Sequence, residues 1–110
     1  MNITIEALQA YLSDRYVGRA DEHGLFMKLV EEIGEVAEVL NKRAGYKSSD
    51  GSELQEKLGE ELADMLHYIV AIAAINGIDL NNIIIQKDKT ASVKYHHENN
   101  LESFILNRKS

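Results

Sequence analysis

A chain of 110 residues and 12.4 kDa fits one ordinary domain, long enough to bury a core and too short for two. With 45% hydrophobic and 27% charged residues the composition is globular, and a formal charge of −6 disfavours lasting attraction to nucleic acid or to an anionic membrane. The absence of cysteine excludes disulfides, thiolate metal sites and thiol nucleophiles, and the absence of proline favours long uninterrupted helices over a loop-rich barrel.

The longest apolar run, residues 68–75, falls far below the roughly 20 residues that span a bilayer, and the first six residues lack the basic stretch of a signal peptide. A soluble, reduced, cytoplasmic protein is expected.

Apolar residues recur at helical spacing in four segments, parted by clusters of Gly, Ser, Asn and Asp. The first predicted helix covers about residues 4–17, with Ile5, Leu8, Leu12 and Tyr16 on one stripe and Gly18 as its stop. The second covers about 21–44, where Lys42 and Arg43 suit the negative end of the dipole and Gly45 supplies a left-handed cap. Its apolar face reads Phe26, Leu29, Val30, Ile33, Val36, Ala37 and Leu40. A polar link follows, and Ser52-Glu53-Leu54-Gln55 reads as a capping box opening a third helix that extends to residue 76. The stripe of this helix is Leu54, Leu58, Leu62, Met65, Ile69, Ile72 and Ala73. Asp79 caps a fourth helix that reaches residue 95. Residues 1–95 thus form a single all-α domain, a four-helix bundle, while 96–110 are a tail with no assigned structure.

The two long helices share one feature, a Glu followed three residues later by another carboxylate: Glu32 and Glu35, then Glu61 and Asp64. Such spacing puts both members of a pair on one helix face, about 4.5 Å apart in rise. Helical phase places Glu32 between Val39 and Leu25, inside the margin of the apolar stripe, with Glu35 one step further out. Glu61 and Asp64 stand in the same relation to the third helix. If these helices pack antiparallel, the four carboxylates converge at one edge of the bundle. Uncompensated, that arrangement is costly, and an all-oxygen donor set suits Mg²⁺ or Mn²⁺ rather than zinc. The bland alternative is a pair of solvated Glu-x-x-Glu runs, which arise often by chance. Glu38 is a further candidate ligand, whereas Glu31, Glu56 and Glu60 read as surface.

At these residues the chain resembles a known family. Val30-Glu31-Glu32-Ile33-Gly34-Glu35-Val36-Ala37-Glu38, followed by Gly59-Glu60-Glu61-Leu62-Ala63-Asp64, is similar to the paired acidic signature of MazG-like, all-α nucleoside triphosphate pyrophosphohydrolases. The separation of 25 residues between Glu35 and Glu60 is in keeping with it. Gly34, costing about 1 kcal/mol against alanine inside a helix, suggests a close helix approach there.

The resemblance implies a Mg²⁺-dependent hydrolase that cleaves a (d)NTP between its α and β phosphates, giving the monophosphate and pyrophosphate. Mn²⁺ is a substitute cofactor. Glu32, Glu35, Glu61 and Asp64 would be metal ligands and catalytic residues, one of them also the base. Lys87 would contact phosphate and Tyr68 would lie near the sugar; a snorkelling lysine and a core-edge tyrosine are the alternatives. Lys94, on the face of Lys87, and Lys28 are further candidate substrate contacts. Where some relatives carry Asn-Arg after the lysine this chain has Ala91-Ser92, and it has no tryptophan to set against a base. Phe26, Tyr46, Tyr68 or the first helix must then meet the base. His23 is a weaker candidate, and His67 phases to the outer, solvated side.

The nearest rival within enzymes is a phosphoribosyl-ATP pyrophosphohydrolase-like activity. A rival of another class is a non-catalytic helical binding module. Wide apolar stripes and the Ile83-Ile84-Ile85 run lead us to expect a homodimer or dimer of dimers.

Overall fold

The computed structural model describes residues 1–46 and 51–109, with the side chains of Tyr46, Ser52 and Lys109 excepted. All regular structure among the described residues is helical: α1 (Ile5–Tyr16), α2 (Glu22–Asn41), a π-helical turn at Lys42–Tyr46, α3 (Gly51–Ile75), α4 (Leu80–Lys94) and α5 (Leu101–Lys109). All four predicted helices are present. The capping box expected at Ser52 lies outside the described side chains.

Local chemistry sets the helix ends. Thr4 Oγ1 accepts the Ala7 N–H at 3.0 Å, Asp21 Oδ1 accepts that of Gly24 at 2.7 Å, and Asp79 Oδ1 accepts that of Asn82 at 3.1 Å, each satisfying a first-turn donor. The second helix stops short of its expected end because the backbone widens at Lys42 and turns over at Gly45, whose φ of +92° only glycine adopts without strain.

Contacts divide the chain into one compact unit, Met1–Ile78, and a second that starts at Asp79. Within the first, α3 packs against both α1 and α2. The α2 and α3 pair is antiparallel, with Arg43 meeting the Gln55 side chain at one end and Glu32 meeting Glu61 further along. Leu12, Val70 and Ala71 are wholly buried, with Leu25, Val39, Leu54, Ala73 and Ala74 around them.

The buried stripes differ from those expected. Leu25 and Val39 are buried on α2, whereas Phe26, Val30, Ile33 and Leu40 stay exposed; on α3 Leu62 and Ile69 are exposed as well. The seam closed within this unit is centred closer to the carboxylates, and α3 spends part of its apolar surface on α1. Gly34 marks no close approach here, since a Cβ built on it meets nothing within 4 Å.

In the second unit, the 96–110 tail contributes α5. Asn100 caps it through Ser103 N–H at 2.9 Å, and Asp88 of α4 accepts the Leu101 N–H at 2.6 Å. Lys89 and Glu102 add an ion pair at 3.1 Å. An acid at this end suits the helix dipole.

Leu12 is the residue of α1 with no exposed surface, so Leu12→Ala should cost about 2–5 kcal/mol of stability, read by urea denaturation.

Candidate metal and nucleotide site

Glu32, Glu61 and Asp64 each offer a carboxylate oxygen within 4.8 Å of the other two. Antiparallel packing makes this possible by bringing the acidic flanks of both helices to one side of their seam. The chain buries Glu61 to 3% exposure and Glu32 partly, while Asp64 stays open to solvent. With both glutamates ionised, Glu32 Oε2 and Glu61 Oε2 are buried without a hydrogen-bond partner. Two inward-facing orphan acceptors of like charge are unfavourable unless a proton or cation sits between them.

A proton relieves part of this strain. Hydrogen bonding to Glu61, then burial and the charges of Glu35, Glu61 and Asp64, push the Glu32 carboxyl up to about 7. The same hydrogen bonds from Glu32 and Glu35, with that from Lys57, hold Glu61 down at about 2. Glu35 is raised through its hydrogen bond to Glu61 and the charge of that residue. Glu32, Glu35 and Glu61 therefore behave as one coupled cluster. Orphaned inner oxygens in an all-oxygen set fit a hard divalent cation, with Glu32, Glu61 and Asp64 as its holders and Glu35 beside them.

The other candidates fall in several places. Glu38 lies outside the group of three and pairs with Lys42 at 3.3 Å. Lys28 is exposed and pairs with Glu31 at 3.5 Å. Tyr68 is half-buried and, one turn after Asp64 on α3, shares its face. Lys87 and Lys94 belong to the second unit, where they share an open recess of about 530 Å³ with Ile83, Gln86, Thr90, Ala91 and Tyr95. Phe26 and His23 line another recess with Glu22 and Ile72. Phe26 is about 120° around α2 from Glu32, on the far side of the seam. The Tyr46 side chain lies outside those described.

His67 is not solvated as its phase suggested. Its Nε2 lies 2.7 Å from the Tyr16 hydroxyl, its ring packs edge-on against Tyr16 and Tyr68, and burial lowers its pKa. Phase about the axis of α3 points His67 away from its apolar stripe, and α1 covers that face. A second residue that escaped notice is Lys57, whose Nζ lies 2.9 Å from Glu61 Oε1; its place four residues before Glu61 was the available signal.

With this geometry in view, comparison with known proteins is decisive about family. The family model for the MazG nucleotide pyrophosphohydrolase domain matches residues 21–96. The chain belongs to this family. It is 32% identical over 83 residues to the uncharacterized protein YpjD of Bacillus subtilis (strain 168), covering 71% of this chain and 72% of that one. Among solved structures it is similar to iMazG from Vibrio DAT 722, with a TM-score of 0.65 and 29% identity over 84% of this chain and 98% of that one. The MazG match contains all four carboxylates together with Lys57, Lys87 and Lys94.

The cluster predicts a pH dependence. A carboxyl raised to about 7 keeps a proton that the unfolded chain releases near its ordinary value of 4.5, so the fold loses stability as pH rises between these values. In EDTA the melting temperature should fall from pH 6.5 to about pH 7 and level off by pH 8. Glu32→Gln should flatten that slope. The lowered His67 acts in the opposite sense, below its unfolded value of 6.5, and leaves this window largely untouched.

Proposed function

We propose that the protein is a Mg²⁺-dependent nucleoside triphosphate pyrophosphohydrolase that converts a (d)NTP to the (d)NMP and pyrophosphate, a housecleaning role in the cytoplasm. The observation that carries this reading is the convergence of three carboxylates within 4.8 Å, two of them with buried, partnerless oxygens, inside a MazG domain. Glu32, Glu35, Glu61 and Asp64 would hold Mg²⁺, with Mn²⁺ as substitute. The ion would supply the positive charge that lets an acidic site accept the phosphates.

The chain's own groups do the remainder. One carboxylate of the cluster orients the attacking water at the α-phosphorus and takes its proton. Tyr68, one turn after Asp64, would lie near the sugar, and Lys28 would face the nucleotide. Lys87 and Lys94, which line a recess on α4, would contact phosphate. The net charge of −6 argues against nucleic acid as substrate, and no single helix among the described residues is long and apolar enough to cross a membrane.

A second copy of the chain is proposed to cover the apolar flank of α2 and α3, as a homodimer or a dimer of dimers. Phe26, Val30, Ile33, Leu62, Leu66 and Ile69 are each at least 40% exposed there, more contiguous apolar surface than a lone monomer usually shows to water.

Incubation with Mg²⁺ and a panel of NTPs and dNTPs should release monophosphate and pyrophosphate. Asp64→Asn and Glu35→Gln should each lower kcat/KM by about 100-fold or more with helical content unchanged by circular dichroism. Diphosphate and inorganic phosphate as products, or turnover undiminished in EDTA, would refute the assignment. Sedimentation at micromolar concentration should find a dimer or larger species, and a monomer would refute the covered flank.

A further inference from the structure

Glu61 is the most deeply buried carboxylate of the cluster, and a lysine reaches it. The Lys57 ammonium lies 2.9 Å from Glu61 Oε1, with the lysine side chain 53% exposed and the glutamate 4%. The ion pairs Lys28–Glu31, Lys42–Glu38 and Lys89–Glu102 join acids that are 46–61% exposed, where pairing is worth little. Lysine four residues before glutamate is also the less favourable order on an isolated helix. Helix stabilisation alone is thus a weak reason for the contact; relief of buried negative charge is a stronger one.

The two oxygens of Glu61 have different surroundings. Oε1 takes the ammonium and Oε2 is buried and partnerless, and the Glu61 carboxylate offers an oxygen within 4.8 Å of those of Glu32 and Asp64. A divalent cation held by the cluster would share Glu61 with Lys57, placing two positive centres on one carboxylate. Their repulsion opposes binding of the free ion. The half-exposed lysine stem can swing into solvent without disturbing the helix backbone.

We infer that Lys57 is a resident counter-charge for the carboxylate cluster, stabilising the fold whenever no divalent cation is bound and restraining the affinity for a free one. The inference rests on the reading of Glu32, Glu61 and Asp64 as metal holders. It gives Lys57 a positioning and affinity-setting role, exerted through Glu61.

The test compares wild type, Lys57→Met and Lys57→Arg, each titrated with Mn²⁺ by calorimetry at low and high salt and melted in EDTA. Lys57→Met should melt lower in EDTA yet bind Mn²⁺ about three- to tenfold more tightly at low salt, with the gap narrowing as salt rises. Lys57→Arg should restore both wild-type values. A melting temperature in EDTA unchanged by Lys57→Met, or an Mn²⁺ affinity equal to or weaker than wild type, would overturn the inference while leaving the metal site standing. Wild-type protein that takes up no Mn²⁺ would overturn the metal site and this inference together, so the wild-type titration separates the two failures.

Discussion

The organising constraint is mutual repulsion among carboxylates carried into the seam between two antiparallel helices. Hydrophobic packing of Leu25, Val39 and Leu54 closes that seam, and in closing it draws Glu32 and Glu61 out of water. The resulting cost is visible as two buried oxygens without partners and as a glutamate that holds its proton to about pH 7. A fold that retains such an arrangement has a local electrostatic deficit that a hard cation can fill. In this sense stability and chemistry are coupled at one place, where the groups least suited to burial are those best suited to hold a metal ion.

The same packing divides the helix pair into unlike flanks. On one side stand Glu35, Asp64, Lys57 and Tyr68; on the other, Phe26, Val30, Ile33, Leu62 and Ile69 remain exposed. Rotation of each helix about its axis fixes both flanks together, because residues about 100° apart in phase cannot change sides independently. Bringing the acids together therefore leaves an apolar surface behind. His67 and Tyr16 join α3 to α1 on a third face, and their contact with Tyr68 connects the α1 packing to the carboxylate flank.

Much of this was legible in the amino-acid order. Helix ends at Thr4, Asp21 and Asp79 follow from side chains that bond their own first turns, which is local chemistry. The convergence of Glu32, Glu61 and Asp64 was legible because spacing fixes phase and a short link favours antiparallel neighbours. The spacing of the two acidic pairs also resembles the MazG signature, and the family match bears that out. Less legible were Gly34, which meets no close neighbour, and His67, which looked solvated by phase alone. The end of the chain was less legible, for although Asn100 caps α5 locally, the helix start is also held by Asp88, 13 residues earlier.

Sequence alone established an all-helical chain, the capped starts of α1, α2 and α4 and the identity of the acids that share a face, since each of these depends on residues within a turn or two. Tertiary packing settled which neighbour covers each face: that α1 takes up His67, that the apolar stripe splits into a buried and an exposed half, and that Lys57 reaches a carboxylate buried by another helix. A helical phase defines directions around one axis. Burial, pairing and proton affinity depend on what lies in those directions, and only the packed helices supply it.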